Sequence, residues 1–181
     1  MKKVSFFLLG AAFLASSLAF VAPKNPKAPI TLAVQSDKSR VDFIGSKAAD
    51  FHTGTFAVKG GSVQVEGGKL VGGSFVIDLA NLKVTDAAGE RLAGHLKSAD
   101  FFDVAKFGEA TYTISSVDYS SATACTINGT LNIKGVGVPV SFASNIRSAS
   151  EKGLFGQAYF SLDRTLLGIA YAGPSKDVQI A

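Results

Sequence analysis

Apolar and polar residues alternate along most of the chain from residue 30 onward. Ile30, Leu32 and Val34 form one such run, and Tyr112 and Ile114 belong to another. A period of two places these side chains on one face of an extended strand. About eight to ten runs of this kind follow one another, with a single helical interruption. Short strands without alternating helices predict an all-β fold, namely a closed or nearly closed antiparallel barrel of about eight strands.

Glycines mark breaks between these runs. Gly60-Gly61 and Gly67-Gly68 can supply the positive φ angles of two-residue hairpin turns, and they predict a three-stranded meander over residues 51–79. Gly129 lies inside a run, which indicates a bulge or a bend of the barrel wall. Further strands are predicted near the C terminus, with these residues in them: Phe160, Leu162, Arg164, Val178 and Ile180.

One stretch, residues 94–112, interrupts the strands. Residues at helical spacing share an apolar face here: Leu92, His95, Leu96 and Ala99. This spacing predicts a short amphipathic helix. The pair Phe101-Phe102 follows, and a new strand starts near Ala110. We therefore expect a lid or plug that is joined to the sheet.

The N-terminal region has the composition of a secretory signal. Lys2 and Lys3 precede an uncharged apolar segment, and Ser17-x-Ala19 fits a cleavage site. We therefore expect a signal peptide over residues 1–19, a Pro- and Lys-rich lead-in over 20–29 and a barrel domain over 30–181, in a periplasmic or secreted protein. The alternative is a retained anchor, because the uncharged segment is nearly long enough to span a bilayer core.

Charge and motifs exclude several classes of function. Removal of Lys2 and Lys3 would leave 16 basic against 14 acidic residues, and no basic run suggests a nucleic-acid partner. The H-E-x-x-H, C-x-x-C and G-x-S-x-G motifs are absent from the sequence. Cys125 is the only cysteine and lies in phase with apolar strand residues, so we expect a buried structural thiol.

The two histidines, His52 and His95, are the side chains that titrate near neutral pH without perturbation. For His95, on the apolar face of the helix, a hydrogen-bonded buried imidazole is favoured over a ligand contact. For His52 the two roles remain open. Asp50, Asp100 or Asp103 could complete a metal site with both histidines, but spacing alone does not support one, and we assign no metal ligands.

Four segments carry a resemblance to a known family. The segment Gly94–Val104, G-H-L-K-S-A-D-F-F-D-V, is similar to the signature of YceI-like proteins. The other three are His52-Thr-Gly-Thr-Phe56, Gly135–Val140 and Asp163-Arg164 with Gly168-Ile169, in the order found in the family. The resemblance implies a lipocalin-like periplasmic barrel that binds polyisoprenoid or quinone-type lipids. Lys97 departs from the pattern, since many members have arginine there, whose planar fork grips an anion more specifically.

The resemblance implies a ligand-binding set without catalytic residues or a cofactor other than the bound isoprenoid-like lipid. His95, Lys97 or Arg164 would meet a polar head at the mouth of the barrel, and His52 is a further candidate. Apolar side chains would line the tunnel for the tail: Phe43, Phe56, Phe75, Ile77, Phe101, Phe102, Tyr112, Phe142 and Phe160. Strand parity leaves open which of these rings face inward.

Three functions are compatible with this pattern. The first is a non-enzymatic carrier or sequestering protein for a hydrophobic lipid in the bacterial cell envelope. The second is an enzyme that acts on a hydrophobic substrate, with His52 or His95 as general base. The third is an interaction protein whose barrel is filled by its own side chains. Peripheral contact with a membrane, and a homodimer across an incomplete closing strand, remain open.

Overall fold

The computed structural model describes residues 28–47 and 50–169 of the chain. The strands of this part are β1 Ile30–Ala33, β2 Arg40–Lys47, β3 Asp50–Glu66, β4 Lys69–Val84, β5 Glu109–Tyr119, β6 Ala124–Ile133, β7 Val136–Ser150 and β8 Gly153–Ala158. Helix α1, Gly89–Lys97, connects β4 to β5, and 3-10 helices span Ser36–Lys38 and Arg164–Leu167. The predicted signal peptide and the strand predicted at Val178 and Ile180 lie outside the described residues.

The strands pair antiparallel in the order β1, β3, β4, β5, β6, β7, β8. β2 also pairs with β3, so that β1 and β2 lie end to end along one edge of that long strand. The sheet curls into a nearly closed barrel, which confirms the predicted fold class. Strand directions place the β2–β3 connection, α1 and the β6–β7 turn at one end of the barrel, which we call the helix end.

The core lies on the concave face of the sheet. On β6, Cys125, Ile127 and Leu131 are buried and alternate with more exposed residues. This alternation follows from the period of two in the sequence, since successive side chains of a strand point to opposite faces. Cys125 is buried as predicted, and this burial raises the pKa of its thiol. The thiol therefore belongs to the wall of the barrel.

Helix α1 packs on β4 through a small buried cluster of Leu82, Ala93 and Leu96. The predicted helix is confirmed over most of its length, but Ala99 lies beyond its end. The Ser98 backbone N–H and hydroxyl both donate to the His95 carbonyl, at 3.1 and 2.7 Å. These bonds close the last turn of the helix, so the chain changes direction before Ala99.

The turn predicted at Gly60-Gly61 is wrong, because β3 runs through both residues. The pairing of β3 with β4 shifts register after Val58, which is a β-bulge. Gly61 has a φ of 134°, and a Cβ there would lie 2.2 Å from the Ser74 carbonyl oxygen. A bulge and a hairpin turn can both require a positive φ at glycine, so the glycine pair predicts either feature equally.

The hairpin turn predicted at Gly67-Gly68 is confirmed, and a second hairpin turn has the same backbone geometry. Gly67-Gly68, with φ angles of 56° and 78°, joins β3 to β4, and Glu66 pairs with Lys69 across it. Lys134-Gly135, with φ angles of 54° and 76°, joins β6 to β7 in the same way. Positive φ at both central residues is the conformation that matches the twist of the flanking strands.

The irregularity predicted at Gly129 is present, although the extra residue lies in the neighbouring strand. The register between β5 and β6 shifts between Ile114 and Ser116, next to Gly129. A Cβ at Gly129 would lie 2.6 Å from Cζ of Tyr112. Glycine at this position therefore allows the Tyr112 ring to lie directly against the strand.

The chain leaves the sheet after Ala158. The predicted strand is therefore wrong for Phe160, Leu162 and Arg164. The Asp163 carboxylate accepts a hydrogen bond of 2.8 Å from the Thr165 backbone N–H and starts a 3-10 helix instead. Leu167 and Ile169 then pack into the main core. This C-terminal segment covers the helix end of the barrel from the side of β8.

Candidate ligand-binding site

A tight turn after α1 presents two consecutive phenylalanine rings to the barrel. The Phe102 backbone N–H donates to the Leu96 carbonyl at 3.0 Å, and that of Asp103 donates to the Ser98 carbonyl at 2.8 Å. Asp103 takes a positive φ of 50°, a conformation that aspartate tolerates better than most residues. Phe101 and Phe102 both pack against the main core as a result. The segment after α1 therefore lies against the core at the helix end, and we call residues 98–104 the plug.

Four phenylalanine rings contact one another in series, from the segment after α1 to the strands of the barrel wall. Phe101 and Phe102 have centroids 5.0 Å apart, and Phe102 meets Phe56 edge to face at 5.8 Å. Phe56 in turn lies 5.1 Å from Phe43 on the neighbouring strand β2. We call Phe43, Phe56, Phe102 and Phe101 the aromatic row. All four were predicted as tunnel residues, and the structure brings them into one continuous set.

Polar side chains gather around the first ring of the row. The Arg164 guanidinium lies over the Phe101 ring, with its central carbon 5.7 Å from the centroid, and the His95 ring approaches at 6.4 Å. The Lys134 ammonium donates to the Phe101 carbonyl at 2.8 Å. His95 and Arg164, both predicted as contacts of a polar head, therefore both lie beside the Phe101 ring. Lys134 was missed, and its place in a hairpin turn gave no sign of this contact.

A second group of rings lines the opposite part of the wall. Tyr112 lies 5.2 Å from Phe142, which stacks on Phe160 at 4.8 Å. The Tyr112 hydroxyl donates to the Val140 carbonyl at 3.0 Å, and burial raises the pKa of this phenol. Phe160 reaches the group from the segment after β8, so this ring is at the inner face without belonging to a strand.

Phe75 and Ile77 complete the predicted tunnel residues. Phe75 pairs with Tyr112 and Ile77 with Ala110, both of which are buried on the inner face. Residues that are directly opposite on paired strands point to the same face of a sheet. Phe75 and Ile77 therefore face the interior from β4.

His52 lies at the helix end and has a carboxylate partner that the sequence analysis missed. Its Nδ1 is 3.2 Å from Oδ2 of Asp86, and its Nε2 is 3.9 Å from Oδ2 of Asp50. Asp86 also accepts hydrogen bonds from the backbone N–H groups of Ala88 at 2.8 Å and Thr53 at 2.7 Å. These bonds attach the loop before α1 to β3. The sequence hint was an aspartate in the loop before the helix, because aspartate side chains often accept a hydrogen bond from the backbone N–H two residues on.

Lys97 lies in the last turn of α1 and is half-buried. Among residues 28–47 and 50–169, no hydrogen bond or ion pair joins its side chain to another residue. The structure thus places Lys97 next to the plug but outside the cluster around Phe101. In the same ranges, no group of three or more His, Cys, Asp and Glu side chains is arranged to hold a metal ion. No helix of the described part is both long and apolar enough to cross a membrane.

Comparisons with known proteins agree with this architecture. A family model for the YceI-like domain matches residues 32–181. The fold is similar to that of BcnA from Burkholderia cenocepacia, with 18% identity, a TM-score of 0.63, and coverage of 76% of this chain and 86% of that protein. It is also similar to the YCEI protein from Campylobacter jejuni, with 15% identity, a TM-score of 0.52, and coverage of 96% and 94%. No curated protein matches the sequence.

We predict that Asp86→Asn lowers the melting temperature at neutral pH. Hydrogen bonds from Ala88 and Thr53, and then the contact with His52, hold the pKa of Asp86 below its ordinary value of 3.8. A lowered folded-state pKa means that the stabilisation is present above that ordinary value and is lost as pH falls through the folded-state pKa. The melting temperatures of the wild type and variant should therefore converge in strong acid.

The matched control is Asp42→Asn, which removes an exposed carboxylate that pairs with Arg40 on β2. Exposed ion pairs contribute little to stability, so this variant should melt within a degree or two of the wild type. Thermal melts from pH 2 to pH 8 measure both variants. A constant difference between Asp86→Asn and the wild type at every pH would contradict the assigned role of the carboxylate.

Proposed function

The chain belongs to the YceI-like family, and from this membership and the inner aromatic surface we propose that it binds an isoprenoid- or quinone-like lipid inside the barrel. The ligand would be carried or sequestered without chemical conversion. The observation that carries the proposal is the aromatic row, which runs from the plug at Phe101 to Phe43 along the inner face.

The partial exposure of the inward rings supports a ligand-binding interior. Tyr112 and Ile127 on the inner face are buried, as in a filled core. Phe56, Phe102 and Phe142 pack against the same core yet stay half-buried. Apolar surface inside a barrel gains free energy when an apolar chain covers it, at about 25 cal/mol per Å². An eight-stranded barrel is also about the smallest that holds one small ligand.

We place this activity in the cell envelope. The support is the N-terminal sequence, in which two lysines precede an apolar segment and a small-residue cleavage pattern. Protein isolated from an envelope fraction should then begin near Phe20, and the same preparation serves for lipid extraction. An intact Met1 on membrane-bound protein would contradict export with cleavage.

A second candidate function, an enzyme on the same barrel, is favoured by the contact between His52 and Asp86. A carboxylate that fixes Nδ1 of a histidine is a known way to orient a general base. Here, however, the same carboxylate accepts two backbone N–H groups and anchors the loop before α1. Cys125 is buried with a raised thiol pKa, so it is a poor nucleophile. Lipid binding without catalysis therefore accounts for more of the observed contacts of the site than an enzymatic function does.

We predict that Phe101→Ser combined with Phe102→Ser reduces the amount of lipid that co-purifies with the protein. Each ring contributes apolar surface worth about 1.5 to 3 kcal/mol when covered. Organic extraction followed by mass spectrometry gives the lipid per protein, and far-UV circular dichroism gives the strand content. The matched control is Phe51→Ser with Phe155→Ser, since these rings are 62% and 55% exposed.

Loss of the two rings could also unfold the plug, because both pack on the core. The variant Phe101→Leu with Phe102→Leu keeps most of the apolar volume, and apolar swaps of similar volume usually cost less than about 1.5 kcal/mol each. We expect this variant to fold and to retain less lipid than the wild type. A folded variant with an undiminished lipid content would contradict the proposal, and a wild-type protein without any lipid would favour a barrel filled by its own side chains.

We predict that His95→Gln lowers lipid affinity by about tenfold at most, which corresponds to about 1.4 kcal/mol, the scale of one hydrogen bond. His95 touches the plug ring Phe101 edge to face, so its shape and hydrogen bonding suffice for a carrier. A general base at this position would instead lose about 10²- to 10⁴-fold in turnover. Mass spectra of the lipid after incubation distinguish the two roles. A modified lipid formed by the wild type but not by the variant would favour the enzyme.

A further inference from the structure

The hairpin of β2 and β3 exposes two large apolar side chains at the helix end of the barrel. Ile44 is 67% exposed and Phe51 is 62% exposed. Ile44 pairs with Thr53, two residues along β3 from Phe51, so both side chains lie on one face of the hairpin. This is the outer face, because the neighbouring Phe43 belongs to the inner aromatic row. Neither side chain therefore contributes to the interior of the barrel.

Three further apolar side chains are exposed around the same end. Leu166 is 58% exposed in the C-terminal 3-10 helix, and Val136 is exposed at the start of β7. Both segments contact the plug at Phe101, in each case through the residue two positions earlier. Phe107 is exposed in the connection from the plug to β5. We call these five side chains the apolar rim: Ile44, Phe51, Phe107, Val136 and Leu166.

The opposite end of the barrel, which we call the far end, has a different surface. Three connections form it, over residues 66–69, 120–123 and 150–153. They consist of charged and hydroxyl residues, glycines and one alanine, and none of these described connections exposes a large apolar side chain. Single exposed apolar residues are common on protein surfaces, but several of them around one end and none at the other indicate a contact surface.

The arrangement of the apolar rim fits a lipid bilayer. Its side chains come from four separate segments that surround the plug, so a flat, fluid surface brought against this end can cover all of them. On and beside α1, Arg91 and Lys97 are offset by Glu90 and Asp100, so charge gives little attraction to anionic headgroups. The contact would depend on burial of apolar side chains in the membrane interface.

We propose that the apolar rim binds the helix end to the surface of a bilayer, with the plug facing the membrane, and that the barrel takes up or releases its lipid in this position. The inference rests on the proposed function, because a lipid ligand reaches the barrel from a membrane. In this orientation the aromatic row begins beside the bilayer at Phe101. An apolar tail then passes from the bilayer to the rings with little exposure to water.

The chain contains no tryptophan, so a single introduced indole reports only on its own position. Phe51→Trp and Leu166→Trp place an indole in the apolar rim. The matched control is Phe155→Trp, since Phe155 is 55% exposed on β8 close to the far end. The exported protein is mixed with phosphatidylcholine vesicles that carry bromine in their acyl chains. The emission of both rim reporters should shift to the blue and be quenched, whereas the control should keep its wavelength and intensity.

A second measurement removes part of the apolar rim. Phe51→Ser combined with Leu166→Ser should lower the vesicle partition coefficient at least about tenfold, because two apolar side chains no longer enter the interface. The matched control, Val71→Ser with Phe155→Ser, removes exposed apolar side chains outside the apolar rim and should bind vesicles like the wild type. Replacing part of the phosphatidylcholine by phosphatidylglycerol should change wild-type binding by less than about threefold. The amount of lipid held at equilibrium should be equal in all of these proteins, since the apolar rim lies outside the interior.

Three results would overturn this docking surface while leaving the lipid-binding proposal intact. Equal quenching of all three reporters, or of none, would show that the membrane does not meet the helix end selectively. Vesicle binding that requires phosphatidylglycerol and disappears in salt would assign the contact to charges. A wild-type dimer that dissociates in Phe51→Ser with Leu166→Ser, without any change in vesicle binding, would make a second copy of the chain the partner of the apolar rim. A wild-type protein that yields no lipid on extraction would instead reject the lipid-binding proposal itself.

Discussion

The backbone hydrogen bonds of the turn after helix α1 determine which side chains lie at the helix end of the barrel. These bonds hold the turn in a conformation in which Phe101 and Phe102 both pack against the core. Both rings pack against the main core and against the smaller cluster under the helix, and Arg164 and His95 lie beside Phe101. The proposed site is therefore built on backbone geometry as much as on side chains.

The period of two in the sequence was enough to predict the antiparallel barrel, because alternating apolar and polar residues are the pattern of strands with one buried face. The helix was equally clear, since Leu92 and Leu96 lie one turn apart. The mistaken turn at Gly60-Gly61 has a different origin. Gly61 does adopt a positive φ, but on a bulge inside a long strand. Only the partner strand decides between turn and bulge, and local sequence does not identify the partner.

The sequence predicted which aromatic residues belong to the candidate site, but not how their rings contact one another. The aromatic row contains only residues that the resemblance implied, yet their contacts cross three separate elements. Asp86 was missed because it meets His52 across 34 positions of chain. Arg164 was assigned to a strand, whereas the side chain of Asp163 favours a helical turn over extended backbone. Short polar side chains that bond to nearby backbone often override an alternating pattern.

Glycines in the wall determine how much space the rings leave inside. A Cβ on Gly54 would lie 2.3 Å from the tip of the Phe43 ring, and one on Gly129 would lie 2.6 Å from the Tyr112 ring. Both rings therefore rest against bare backbone and not against another side chain. Any larger residue at these positions would push a ring toward the middle of the barrel, because the carbonyl oxygens behind them are also within 2.3 Å of the added atom. The absence of two side chains thus lets the Phe43 and Tyr112 rings lie close to the wall, and under the proposed function this leaves more of the interior to the lipid tail.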